Sequence, residues 1–264
     1  MSSLDATAGT AGTAGTPHPT AGTAGTVMAW INQASSSLAD TDVARIVEAL
    51  NLQAPDIGAA WHIPPPHHLV ATDAASAPSG VMKCYFLPNA DAAHLLGYHD
   101  VDPQGDPYLR VFVDLILQNN GTVLSGATSV SAGASHEAAE AAVDPRCDSY
   151  SATRSDGSQV AMEVADAVEN TTYRVTLADG TKVSVTNFVF PSYFESSGSA
   201  PFDLCQLVTS PFQILNGGYE VVRDPSGAVS QRLGDEFPQW RQASKRFEAS
   251  RTYRRLHPPG HSGH

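Results

Sequence analysis

The sequence predicts an α+β protein built as one main domain with a flexible tail at each end. The predicted elements run as a helix, several strands, a central helix and a β-hairpin, an order typical of the α+β class. The chain has 264 residues, of which 42% are hydrophobic, so it is long enough to bury one substantial core. We divide it into a tail of residues 1–26, a domain of residues 27–234 and a tail of residues 235–264.

The two predicted tails differ in composition from the domain. The first 26 residues hold five Ala-Gly-Thr repeats, whose small side chains cannot bury enough surface to offset the entropy of ordering. The last 24 residues carry six Lys/Arg against one acid, a charge of +5. Since the whole chain has a net charge of −12, the rest of the chain carries −17. An acidic body argues against nucleic acid as the main partner.

The cysteines and the N-terminal sequence bear on the cellular location of the protein. The three cysteines are widely spaced and include no C-x-x-C pair, so we expect neither a disulfide framework nor a cysteine zinc site. The N-terminus lacks the basic start and apolar run of a secretory signal peptide, and no stretch is long enough to span a bilayer. These features predict a cytoplasmic or virion-associated protein.

The first half of the domain is predicted to hold one helix followed by strands. The helix begins at Asp40 and ends before Pro55, and its apolar residues at helical spacing are Val43, Ile46, Val47 and Leu50. Short apolar runs rich in β-branched and aromatic residues follow, separated by Pro, Gly and Asp clusters. The predicted strands are His68–Thr72, Val81–Leu87, His94–Tyr98 and Leu109–Leu117.

The second predicted helix covers Ser129–Val143 and is rich in alanine and glutamate. It ends at Asp144-Pro145, because the residue before a proline is pushed out of the helical region. A hairpin with its turn at Asp179-Gly180 comes next. The remaining predicted elements are the hairpin strands Tyr173–Leu177 and Lys182–Phe190, one or two strands between Phe202 and Val222, and a helix or loose tail beyond Asp235.

The second predicted helix carries the motif His136-Glu137-x-x-Glu140, which differs from the zinc-protease signature H-E-x-x-H at its last position. Residues i and i+4 of a helix lie on one face, so His136 and Glu140 can both reach one cation. Glu137 lies one position further round, where it can touch a metal-bound water and act as general base. The pattern also arises by chance, in which case both glutamates simply solvate an alanine-rich helix.

A third metal ligand has competing candidates. Glu163 and Asp166 in “MEVADAVEN” lie three residues apart, close enough on a helical turn for one to ligate and the other to support it. We favour Glu163 as the ligand and expect Asp166 to accept the second N–H of the ligating imidazole. Asp144 is the alternative ligand, because it lies one turn further along the predicted helix.

The predicted ligand set bears on the identity of the metal. One imidazole and two carboxylates cancel the charge of a divalent cation, so a bound water is acidified less than in a tris-histidine site. Carboxylate oxygen is an accepted zinc ligand, and an oxygen-rich set also suits Mn²⁺, Mg²⁺ or Ca²⁺. We therefore predict a zinc site that could take another divalent cation.

Residues upstream of the motif support a cleft beside the helix. The segment Val111–Val113 is predicted to be a strand just before the helix, and zincin-type peptidases place such a strand along the cleft, where its edge pairs with an extended substrate. His99, in “GYHD”, is expected near this cleft as an extra ligand, a transition-state donor or a structural residue.

Six segments in order resemble a family of poorly characterised bacterial and phage-borne proteins. They are “LLGYHDVDPQGDPYLRVFV”, “ASHEAAEAAVDP”, “MEVADAVEN”, “VSVTNFVFPSYFE”, “FDL” and “NGGYEVV”. The match runs from about Met28 to Val222, which covers most of the chain and leaves out both tails. The resemblance implies a single zincin-like domain in which a mixed β-sheet packs on a central metal-site helix.

The resemblance also implies roles for individual residues. His136, Glu137 and Glu140 match the helix motif of the family, and its second acidic motif falls on Glu163 and Asp166. The sequence departs from the family at three positions of that second motif: Ala165 and Val168 stand where relatives tend to have cysteines, and Asn170 stands where an acid is expected.

Two functions from different classes follow. The first is a metallopeptidase-like hydrolase of a peptide or protein substrate, with His136, Glu140 and Glu163 as ligands and Glu137 as general base. The second is a non-catalytic structural or binding protein of a virion or similar particle, which keeps a zincin-like fold and assembles into a homo-oligomer. The repeat tail and the basic tail suit a subunit whose ends engage its neighbours.

Overall fold

The structure, a computed structural model, describes residues 25–91 and 95–236. Its helices and strands confirm the predicted α+β class. The helices are α1 (Asp40–Trp61), α2 (Val113–Gln118) and α3 (Val130–Val143), and 3₁₀ turns lie at Asp166–Val168 and Pro191–Phe194. The strands are β1 (Val27–Asn32), β2 (His67–Ala71), β3 (Met82–Leu87), β4 (Gly97–Val101), β5 (Pro107–Phe112), β6 (Gln159–Val160), β7 (Thr172–Thr176), β8 (Lys182–Thr186), β9 (Tyr219–Arg223) and β10 (Val229–Leu233).

A five-stranded mixed sheet with the order β2-β1-β3-β5-β4 organises the first half of the fold. Strands β1, β2, β3 and β5 are parallel, whereas β4 at the edge runs antiparallel to β5. Trp30, Phe86 and Leu109 of the inner strands are fully buried in a core that includes residues of α1 and α3. Such burial explains why these strands carry mainly apolar residues.

Helix α1 begins at Asp40 as predicted, but it continues to Trp61, seven residues beyond the predicted end before Pro55. All four residues of its predicted apolar face are buried. Pro55 lies inside the helix, although a proline there removes one backbone hydrogen bond. Ile57 and Gly58 beyond it are buried, and Ile57 packs in a second core cluster with Val160 and Phe188, which offsets that loss.

The predicted strands of this half differ from the structure in three places. The apolar run Leu109–Leu117 divides into two elements, since β5 ends at Phe112 and α2 follows at once. Val113 and Ile116 are buried at helical spacing, and a short apolar run cannot be assigned to strand or helix by periodicity alone. Strand β1 has no counterpart among the predicted strands. The predicted strand His94–Tyr98 begins outside the described residues, and β4 occupies Gly97–Val101.

The second half confirms the hairpin and revises the last strands. Strands β7 and β8 pair antiparallel, and Gly180 in their turn has a φ of 84°, which glycine adopts without strain. Strand β9 pairs with β10 and β6 in a three-stranded sheet. Residues 202–218 contain no named strand; there the Asp203 carboxylate accepts the backbone N–H groups of Leu207 and Val208 and holds a loop.

Helix α3 lies in the interior, with contacts to β4 and β5 on one side and to β8 on the other. Ser129 caps its N-terminus by accepting the backbone N–H of Ala132. Every residue from Val130 to Ala141 except Gly133 is buried. The many alanines let this helix pack closely on both sides, so its polar side chains point into protein rather than into water.

The predicted tails lie outside the described residues except for residues 25, 26, 235 and 236. Among the helices that the structure describes, none has the length and apolar character needed to cross a membrane.

Candidate metal centre

The polar residues of the α3 motif are buried. His136 is 7% exposed, Glu137 4% and Glu140 0%. The interpretation that the two glutamates solvate an alanine-rich helix is therefore wrong. Buried carboxylates are costly unless positive charge or hydrogen-bond donors compensate them, so this cluster requires partners.

One group of metal-compatible side chains joins α3 to the 3₁₀ turn that follows β6. His136 Nε2 lies 3.3 Å from Glu140 Oε1 and 3.2 Å from Asp166 Oδ1. Asp166 is buried and begins the turn Asp166–Val168. The three side chains offer ligand atoms that all lie within 4.8 Å of one another, so they form a candidate metal site.

A second group joins α3 to the edge strand β4. His99 Nδ1 lies 3.4 Å from Glu137 Oε2 and 3.7 Å from Glu140 Oε2. His99 is fully buried, and this trio also offers ligand atoms within 4.8 Å of one another. Glu140 belongs to both groups.

The His–carboxylate distances within both groups suit a small divalent cation. Two nitrogen or oxygen ligands about 2.1 Å from a tetrahedral zinc ion lie about 3.4 Å apart. The four His–carboxylate distances of the two groups run from 3.2 to 3.7 Å. Imidazole nitrogen and carboxylate oxygen are also the donors that zinc and manganese accept in proteins.

The structure brings Asp166 to His136 and Glu163 to His99. Asp166, expected to accept an N–H of His136, lies 3.2 Å from His136 Nε2, and it also belongs to the candidate ligand group of His136. Glu163, expected as the third ligand beside His136, has its Oε2 3.9 Å from His99 Nε2 and belongs to neither group. The expected helical turn is absent at Glu163, because the described 3₁₀ turn begins only at Asp166.

Asp144, the alternative third ligand, holds the loop after α3. Its carboxylate accepts the backbone N–H groups of Asp148 and Ser149 and the hydroxyl of Ser149. Its carbonyl oxygen lies 3.1 Å from His99 Nε2. A carbonyl can only accept, so the neutral His99 ring carries its proton on Nε2 and presents the Nδ1 lone pair to Glu137 and Glu140.

The backbone positions the shared carboxylate. The N–H of Ala165, one residue before the 3₁₀ turn, donates to Glu140 Oε1 at 3.4 Å. The turn itself is held by Gly218, where an added Cβ would lie 2.5 Å from the carbonyl oxygen of Ala167. The “GGY” segment thus allows the loop before β9 to lie against the turn that supplies Asp166.

Electrostatics favour cations at both imidazoles. Burial lowers the pKa of His136, but the charges and hydrogen bonds of Glu140 and Asp166 outweigh it, so the net pKa is well above the ordinary 6.5. Burial also lowers the pKa of His99, and its contacts with Cys147, Glu137 and Glu163 again raise it well above 6.5. The cluster therefore attracts positive charge, which protons or metal ions can supply.

A small cleft reaches the cluster from one side. His136 and Glu137 line it, together with Gly97, Glu169 and Tyr219. Its volume of about 40 Å³ accommodates an ion and one or two water molecules. Sequence reasoning did not assign Gly97 or Tyr219 to the site, and the motifs “GYHD” and “GGY” that contain them were the available signal.

The prediction that the strand at Val111–Val113 offers an edge to a substrate is wrong. Val111 and Phe112 belong to β5, which pairs with β3 on one side and β4 on the other, so β5 offers no open edge. The edge strand beside the cluster is β4. At His99 its carbonyl oxygen accepts the Cys147 thiol at 3.4 Å, so that part of the edge is covered by the loop after α3.

Comparisons with known proteins found no match: no family model, no curated protein and no solved structure matches the chain. The resemblance to a zincin-like family therefore stays a prediction from the sequence motifs. The buried groups of histidine, glutamate and aspartate, which could hold a metal ion, are the observation on which a function can be built.

Proposed function

We propose that the protein is a metal-dependent hydrolase whose ion is held by His136, Glu140 and Asp166. The observation that carries the proposal is the convergence of these three buried side chains, with His136 Nε2 3.3 and 3.2 Å from the two carboxylates. The site adjoins a cleft that Glu137 also lines, so a reacting group in the cleft would meet the metal ligands and a candidate base together.

The residues of the cleft have distinct roles in this proposal. A bound divalent ion would supply Lewis acidity for hydrolysis of a carbonyl compound. Glu137 would accept a proton from water in the cleft. Its Oε2 faces His99, whereas its Oε1 would lie 3.3 Å from a Cβ at Gly97, on the side that lines the cleft. The buried surroundings exclude bulk water and thereby strengthen the electrostatic effect of these groups.

We propose zinc as the ion, and a peptide as the substrate class. One imidazole with two carboxylates suits zinc, and manganese is the next candidate for such an oxygen-rich set. The peptide class is supported by the sequence resemblance and by the position of β4, whose first residue, Gly97, lies at the cleft. An extended peptide could pair with the edge at this end of β4, away from Cys147.

The experiment combines metal analysis with a turnover assay on the full chain. Protein refolded or purified with Zn²⁺ is analysed for bound metal, and a library of fluorescence-quenched peptides reports hydrolysis. His136→Gln and Asp166→Asn are expected to lose the ion at this site, and Glu137→Gln is expected to lose turnover while keeping it. Wild-type protein that binds no metal would refute the proposal.

Glu220→Gln provides the matched control. Glu220 is another buried glutamate, 3% exposed, and it pairs with Tyr193 and Arg232 rather than with the cluster. We expect this variant to retain wild-type metal content. A loss of metal equal to that of Asp166→Asn would indicate that metal binding depends on the general integrity of the fold, not on the cluster.

A structural role for the ion is the second candidate function. The small volume of the cleft, about 40 Å³, favours it, because an ion and one or two water molecules already fill that space. In that case the wild type binds metal, hydrolyses no peptide of the library, and melts at a higher temperature with metal than without. This outcome would support the scaffold interpretation, in which the protein assembles with copies of itself or with other particle subunits.

A further inference from the structure

We propose that the cluster is a two-metal centre in which Glu140 bridges two divalent cations. The first ion is the one of the proposed function, on which this inference rests. The second ion would be bound by His99, Glu137 and Glu140. It would lie on the far side of Glu140 from His136, between α3 and the edge strand β4.

The two oxygens of Glu140 face different imidazoles. Oε1 lies 3.3 Å from His136 Nε2, and Oε2 lies 3.7 Å from His99 Nδ1. A carboxylate that presents one oxygen to each side can bind two ions at once. Centres of this kind hold their ions about 3.5–4 Å apart. The two candidate groups share Glu140 and no other residue, which is the arrangement that a bridging ligand requires.

His99 is oriented as metal-binding histidines usually are. Its Nε2 faces the backbone carbonyl of Asp144 at 3.1 Å, and its Nδ1 faces Glu137 and Glu140. Ligating histidines commonly donate their second N–H to a carbonyl or carboxylate, which fixes the tautomer and the ring orientation. The carboxylate of Asp144 in turn fixes the loop that carries this carbonyl.

The formal charge of the cluster matches two ions. Its six side chains are His99, His136, Glu137, Glu140, Glu163 and Asp166, all of them buried. With neutral imidazoles the four carboxylates carry a charge of −4, which two divalent cations balance. A single ion bound through a neutral His136 leaves −2 on the carboxylates, of which a proton on His99 offsets one charge. The charge that remains is buried and uncompensated, which is strongly unfavourable.

The second ion is compatible with the base role proposed for Glu137. A carboxylate has two oxygens, and the two roles use different ones: Oε2 faces His99, and Oε1 lies beside Gly97 at the cleft. Two adjacent ions suit hydrolysis, because one would activate the attacking water while the other would stabilise the charge that develops on the substrate oxygen. The proposed enzyme is thus a two-metal hydrolase.

The test measures how many ions the full chain binds. Chelator-treated protein is titrated with Zn²⁺ by calorimetry, and the dialysed product is analysed for metal. We expect two ions per wild-type chain and one per chain in His99→Gln, whose remaining affinity stays within about 10-fold of the wild-type first site. His68→Gln, which removes a buried histidine outside the cluster, is expected to keep two ions.

Manganese provides a second readout that needs no variant. Wild-type protein loaded with Mn²⁺ is expected to give the electron paramagnetic resonance spectrum of two exchange-coupled ions, as their short separation demands. A spectrum of isolated Mn²⁺ with one ion per wild-type chain would overturn the two-metal centre and leave the proposed function standing. No bound ion at all would overturn both. Two ions in His99→Gln would overturn the assignment of the second site.

Discussion

Two buried regions of the molecule hold histidines in opposite electrostatic states. His68, in β2, is 2% exposed, and burial together with the neighbouring His67 lowers its pKa to about 3. His99 and His136 are buried to a similar extent, yet the groups that face them raise their pKa well above 6.5, Cys147 together with carboxylates at His99 and carboxylates at His136. Burial alone therefore does not decide the charge of a histidine; the groups that face it do.

The surroundings of His68 explain its neutral state. Its Nδ1 accepts the indole N–H of Trp30 at 3.2 Å, so the ring proton sits on Nε2. Among the described residues, Nε2 has no hydrogen-bond partner. The Asn51 side chain forms two hydrogen bonds with the backbone of His68, donating to its carbonyl oxygen and accepting its N–H. Trp30 and Asn51 are both neutral and cannot compensate a positive charge on the ring, so the site disfavours both a proton and a metal ion.

The largest expected effect is a loss of stability in acid caused by His68. The unfolded chain takes up a proton near pH 6.5, whereas the folded protein does so only near pH 3, so stability falls as pH falls through this window. Between pH 7 and pH 4 the loss amounts to about 3 kcal/mol. Urea unfolding of wild type and His68→Gln at both pH values measures it as a difference between the two proteins.

The exposed neighbour His67 supplies the control for that measurement. His67→Gln is expected to leave the acid loss almost intact, because only the buried ring resists protonation. If His68→Gln lost as much stability as wild type between pH 7 and pH 4, His68 would be protonated in the folded protein and the contrast between the two regions would fail.

The metal-free cluster is expected to show the opposite dependence on pH. Folded His99 and His136 keep their protons above the unfolded value of 6.5, so their contribution is complete below that pH and is lost as pH rises through the folded values. Melting temperatures of chelator-treated protein should therefore fall from pH 6.5 upwards. Bound metal replaces the protons, so metal affinity should rise with pH and the metal-loaded protein should resist this alkaline loss. An equal decline with and without metal would contradict the prediction.

Gly97 gives a smaller effect that acts through Glu137. An added Cβ would lie 2.9 Å from the Arg110 carbonyl oxygen and 3.1 Å from Glu137 Cγ. Gly97→Ala is therefore expected to destabilise the fold by about 1–3 kcal/mol and to weaken binding of the second ion. Chemical denaturation and zinc titration measure both.

Gly133 is the matched glycine on α3. Its added Cβ would meet Ile116 at 3.6 Å, an ordinary contact, so Gly133→Ala should gain about 0.5–1 kcal/mol from helix propensity. A similar loss of stability in both variants would show that the cleft tolerates no methyl group anywhere, and the specific link between Gly97 and Glu137 would be lost.

The parts of this site that could be predicted are those set by local geometry. The i, i+4 spacing of His136 and Glu140 places both on one face of any helix, and the structure brings them to 3.3 Å. The choice between Glu163 and Asp166 depends instead on where the 3₁₀ turn begins. That turn packs closely against Gly218, more than 50 residues later in the chain, and a local sequence pattern does not carry information on such a long-range contact.

The smallest effect is expected at Cys147, whose thiol donates to the His99 carbonyl at 3.4 Å. A serine hydroxyl can make the same hydrogen bond, so Cys147→Ser should keep the number of bound ions and change zinc affinity less than about 10-fold. Zinc titration of the variant checks this. A larger loss would make the thiolate a ligand and add a soft donor to the centre, because zinc binds sulfur strongly. The charge balance of two ions would then have to include a fifth negative group.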